Sequence, residues 1–200
     1  MSFSANARRV RDPALPFHRR VQALRSCVQL YRPIGFHATL SYLRARAGRY
    51  DRDETTLLRA LDVLETSRAA WHAAIREYNG TRREAKRKGH RKPRRPGPFR
   101  PTVWYGAPQE AALHALLHWR QRRLQALLTP DDETARSLVR CVDACLTSQG
   151  ALTPAEQQAF TAIEKELARR RNDPRLSHEA LSRTRDLLTV ATLLKTAAGL

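Results

Sequence analysis

Ten lysines and arginines crowd the nineteen residues from Arg82 to Arg100, against a single acid, Glu84. They are Arg82, Arg83, Lys86, Arg87, Lys88, Arg91, Lys92, Arg94, Arg95 and Arg100. Each phosphate neutralised by Lys or Arg releases a condensed counterion, so such a segment attracts polyanions and loses them as salt rises. Phe99 lies within this stretch, and Trp104 and Tyr105 follow it. Aromatics beside cations can stack on unpaired bases, which is worth about 1–3 kcal/mol per base. The plainer alternative for Trp104 and Tyr105 is anchorage of the segment's end onto a core.

A second cluster lies near the N-terminus. Residues 1–50 hold ten arginines and one acid, Asp12. Arg8, Arg9, Arg11, Arg19 and Arg20 crowd its first part, and Arg44, Arg46 and Arg49 follow. The acids gather at 51–79 and 129–150, each with a net charge of −2. If the two basic regions meet in space, they form one phosphate-tracking face. Arg outnumbers Lys by 32 to 5. The planar guanidinium fork suits phosphate and stacks on bases. A GC-rich codon bias would also favour Arg, but it does not explain the clustering.

His114 and His118 are spaced i, i+4, and so are Cys141 and Cys145. Reflection through a turn between Thr129 and Pro130 sets 114 opposite 145 and 118 opposite 141. That is a ligand set zinc accepts. Cys is also a common small core residue, and both cysteines sit near the apolar face of Leu138 and Val142. The expectation is therefore ordinary packing and no metal. Arg68 interrupts an apolar seam and is expected at its wet edge, stem packed and head in water. No phosphate-cradling glycine loop, dinucleotide fingerprint or nucleophile elbow is present. The acids are too scattered for a metal-dependent nuclease. A non-catalytic protein without a cofactor is expected.

These residues must be held by helices. The apolar residues recur with helical periodicity, and no stretch alternates as a strand would. Residues 15–31 and 36–47 read as two helices. Next, Leu57, Leu61, Leu64, Arg68, Trp71, Ile75 and Tyr78 recur in steps of four and three, a heptad-like seam. Asp51 and Glu54 suggest a capping box at its start, and Asn79-Gly80 suggests its end. Five prolines among residues 93–108 rule out a helix through the basic segment. Four further helices follow: 108–128, 130–148, one opened by the Thr153-Pro154-Ala155-Glu156 capping box, and one opened by Ser177.

The fold expected is all-α, with about seven helices in one compact domain or two small subdomains. Residues 1–79 form the first part and 107–200 a four-helix part. A long, exposed, basic and proline-rich loop at about 80–106 joins them. The chain's 200 residues, 42% hydrophobic, suffice for a core. The net charge of +18 favours polyanions and disfavours self-association. Three loosely spaced cysteines suggest a reducing compartment. No signal peptide or membrane span is read. The expected location is cytoplasmic, at the nucleoid or in the nucleus according to host.

The function expected is non-catalytic binding of nucleic acid, DNA favoured over RNA, in an architectural, repair or mobile-element accessory role. One alternative is an RNA-binding part of a ribonucleoprotein complex. Another is a helical adaptor, with the heptad-like helix or apolar C-terminal helix meeting a protein partner or a second copy.

Overall fold

The computed structural model describes residues 1–89 and 104–200. The protein is all-helical, and the described residues contain no strand. They fall into two compact units, Met1–Gly106 and Ala107–Leu200.

The first unit holds α1 (Phe3–Arg11), α2 (Phe17–Leu30), α3 (Phe36–Ala47) and α4 (Glu54–Arg87). Sequence periodicity overlooked α1. Its apolar face is only Phe3, Ala7 and Val10, and arginines fill the gaps. The signals were there: Ser2 accepts the Ala5 amide as N-cap, and the three residues recur at helical spacing. Leu57, Leu61 and Leu64 of α4 are fully buried, in a core shared with α1, α2 and α3. This half of the heptad-like seam is thus occupied inside its own unit, leaving no apolar surface there for a partner. Tyr31 stacks on Trp71 at 5.6 Å and shares a 2.9 Å hydroxyl hydrogen bond with Ser67.

Two expectations about α4 need correction. Its cap is Asp53, which accepts the Thr56 amide at 2.9 Å, rather than Asp51. Asp51 instead pairs with Arg44, and Glu54 with Arg20. The helix also runs past Asn79-Gly80 to Arg87, for 34 residues or about 50 Å. Gly80 keeps a right-handed conformation. The residues after it are mostly strong helix formers, and Glu84 pairs with Lys88 one turn on. The stop is Gly89, whose φ of 66° permits a left-handed closing turn. Asn-Gly ends a helix only when the glycine takes such a φ, and composition alone does not reveal which glycine does.

A Cβ on Gly80 would meet nothing within 4 Å. Gly80→Ala should therefore stabilise this part of the helix by about 1 kcal/mol. Amide exchange over 81–88 should slow roughly fivefold, as that free energy implies. Unchanged or faster exchange would contradict a continuous helix.

The second unit holds α5 (Pro108–Arg122), a 3-10 turn (Leu124–Leu127), α6 (Glu133–Thr147), α7 (Pro154–Arg171) and α8 (His178–Ala198). The Thr153–Glu156 capping box forms in both directions, and Ser177 caps α8. Asp132 rather than Thr129 caps α6, so that helix starts later than read from sequence. Leu187, Val190, Leu193 and Leu194 of α8 are buried. They face α5, α6 and α7, so the apolar C-terminal helix is also used internally. Arg170 bridges Asp132 at 2.9 Å and Glu166 at 2.8 Å. Arg169 and Arg170 together hold the Glu166 carboxyl down to about 2. No described helix is long and apolar enough to cross a membrane.

Candidate nucleic-acid interface

Charge divides between the two units more sharply than the sequence pattern shows. Residues 1–106 carry 24 basic and 8 acidic side chains, residues 107–200 carry 13 and 11. Almost the whole excess lies in the first unit.

A run of exposed cations stands on the far half of α4. Ser67 is the last buried residue of that helix. Arg82, Arg83, Lys86, Arg87 and Lys88 are all exposed. Lys88 pairs with Glu84 at 2.7 Å. Arg82, Arg83, Lys86 and Arg87 have no carboxylate partner among the described residues. The sequence pattern predicts an extended loop for them, and the structure places them on a helix instead. Helical placement spaces them by fixed rises of about 1.5 Å and fixes the direction of each. Arg91, Lys92, Arg94, Arg95 and Arg100 lie outside the described residues, as do Phe99 and the prolines Pro93, Pro96, Pro98 and Pro101.

The N-terminal arginines divide into separate roles. Arg8 is exposed, and it lines a cleft of about 380 Å³ with Phe3, Ser4, Arg11, Glu65 and Arg68. Here the N-terminal cluster meets α4. The Arg68 guanidinium lies 4.3 Å from the centre of the Phe3 ring, a cation–π contact, so its head is not simply in water. Arg9 is half-buried, with its guanidinium 3.3 Å from the Met1 sulfur. Arg11 is tied to Glu65 and Asp62, and its hydrogen bond to Glu65 raises its pKa further. Arg19 is exposed.

Arg20 was expected to meet phosphate, and the structure corrects this. It is 4% exposed. Its Nε donates to the Val10 carbonyl at 2.7 Å, and a terminal nitrogen donates to Glu54 at 2.7 Å. It joins the end of α1 to the start of α4, and no phosphate can reach it in this conformation. Trp104 needs the same correction. It is 3% exposed, edge-on to Tyr42 of α3 at 4.6 Å. It anchors the returning chain to the core, so no base can stack on it. Tyr105 beside it remains half-exposed.

Two residues of this surface, Arg76 and Asn79, escaped the sequence reading. Arg76 precedes Arg83 by seven and so shares its side of the helix. That relation is invisible once the helix is ended at Asn79.

The sulfur groups show no reactive setting. Burial pushes the Cys27 thiol up to about 12 and raises Cys141 and Cys145 as well. Burial also lowers the His114 pKa. Among the described residues, no group of three or more His, Cys, Asp or Glu is arranged to hold a metal ion. The α5–α6 register is marked by Arg120 and Asp143 at 2.6 Å, a pair centred two residues beyond the turn assumed from sequence.

A scan against protein-family models finds no match, and no curated protein or solved structure matches the chain. Function must therefore be argued from this surface alone.

Proposed function

We propose that the chain binds nucleic acid through phosphates, without catalysis, and that its first unit carries the interface. DNA is favoured over RNA. The observation that carries this reading is the exposed half of α4. Five cations there, Arg76, Arg82, Arg83, Lys86 and Arg87, have no carboxylate partner among the described residues, in a unit where basic residues outnumber acids threefold. Such charge is expensive to concentrate without an anionic partner, because like charges repel across the compact state. Arg8 on α1 adds an exposed cation beside Arg68 of α4, and Arg19 is exposed at the start of α2. Arg11 and Arg20 support it structurally, through their bonds to the acids of α4.

The test is a fluorescence-anisotropy titration of labelled oligonucleotides at low salt, followed by electrophoresis of the recovered strand. Saturable binding with the oligonucleotide intact is expected. No binding at about 50 mM salt would overturn the binding reading. Strand cleavage or base modification would overturn the non-catalytic one.

A further inference from the structure

Apart from Lys88, which pairs with Glu84 on the other side, the cations from Arg76 to Arg87 are not scattered round the helix. Each residue advances the helix by about 100°. On that count Arg82, Lys86, Asn79, Arg83, Arg76 and Arg87 occupy one arc of about 140°. Glu77 and Glu84 share a line on the opposite side. Ala73, Gly80 and Ala85 lie outside the arc, His72 and Ile75 fall within it, and Trp71 and Tyr78 lie beside Arg82. The stretch from Arg68 to Arg87 is about 28 Å long and has no buried residue, and only its first turn, through Arg68 on Phe3 and Trp71 on Tyr31, packs against the rest of the unit.

Resting on the nucleic-acid reading above, we propose that this half of α4 enters the major groove of B-form duplex DNA. The fit has three parts. First, an α-helix with its side chains is about 10–12 Å across, and the B-form major groove is about 12 Å wide. Second, charge is distributed as the groove requires. Arg82 flanks one side of the arc, and Arg76 and Arg87 flank the other, towards the two phosphate strands. Lys86, Asn79 and Arg83 lie at its centre, towards the base edges. Third, the central residues suit base edges chemically. Asn can pair with adenine through N6 and N7, and Arg with guanine through O6 and N7. The A-form duplex of RNA has a deep, narrow major groove that excludes a helix. A single strand has no groove, and the arc would then only track phosphates.

The full chain is titrated at one salt concentration with four probes of equal length. These are duplex DNA, duplex RNA, single-stranded DNA, and duplex DNA whose cytosines carry a glucosylated hydroxymethyl group at C5. The last fills the major groove and keeps the phosphate charge. Plain duplex DNA should bind at least tenfold tighter than the duplex RNA and the groove-filled duplex. Asn79→Ala combined with Arg83→Ala should bring that preference below threefold. Equal affinity for all the duplexes, or tighter binding of RNA or single strands, would overturn groove entry and leave phosphate binding standing. No binding to any probe would remove both readings.

Discussion

Replacing Arg82, Arg83, Lys86 and Arg87 together by Gln should weaken binding to duplex DNA about a hundredfold or more at 0.1 M salt. Each released counterion contributes about 0.9 decade at that salt relative to 1 M, so four contacts set a ceiling near 3.6 decades. Rearrangement of neighbouring cations makes the observed loss smaller than that ceiling. The fold should not change. None of the four is buried, and none has a carboxylate partner among the described residues. Gln is also a good helix former, so α4 keeps its length. Circular dichroism and the melting midpoint should match the wild type. A loss of less than threefold with the fold intact would move the interface elsewhere on the chain.

The largest stability effect should come from the neighbouring pair Arg19 and Arg20. Arg20→Met removes the donors to the Val10 carbonyl and to Glu54 from a position only 4% exposed. The carbonyl at the end of α1 is then left without its partner. A cost of about 2–4 kcal/mol is expected, the range for breaking a buried, charge-assisted hydrogen-bond network. Glu54 is half-exposed and rehydrates, which keeps the cost below that of a wholly buried ion pair. Arg19→Met, one residue away and exposed, should change stability by no more than about 0.5 kcal/mol. Chemical denaturation of both variants measures the difference. Equal midpoints would contradict the structural role assigned to Arg20.

That pair also marks the limit of what sequence can reveal. The all-helical class was readable, because apolar spacing along Leu57, Leu61 and Leu64 fixes a helical face. So was the start of α7, where the side chains at Thr153 and Glu156 satisfy free amides locally. What depends on long-range packing was not readable. Arg19 and Arg20 are identical in type and adjacent, and only the approach of α1 and α4 separates their roles. Trp104 beside a run of cations looks like a stacking platform, and only Tyr42, 62 positions earlier, shows it to be an anchor. The length of α4 was underestimated for a related reason. Gly80 tolerates both helical and left-handed backbone, and the helix formers that follow it decide between them.

Binding of nucleic acid through phosphates by α4 and the N-terminal arginines is tested most directly by the salt dependence of duplex DNA affinity, measured on the wild type and the four-site Gln variant. With about six phosphates engaged, log K against log salt should slope near −5 for the wild type. Loss of four contacts should reduce this to about −2 in the variant. A slope near zero, or the same slope in both proteins, would contradict it.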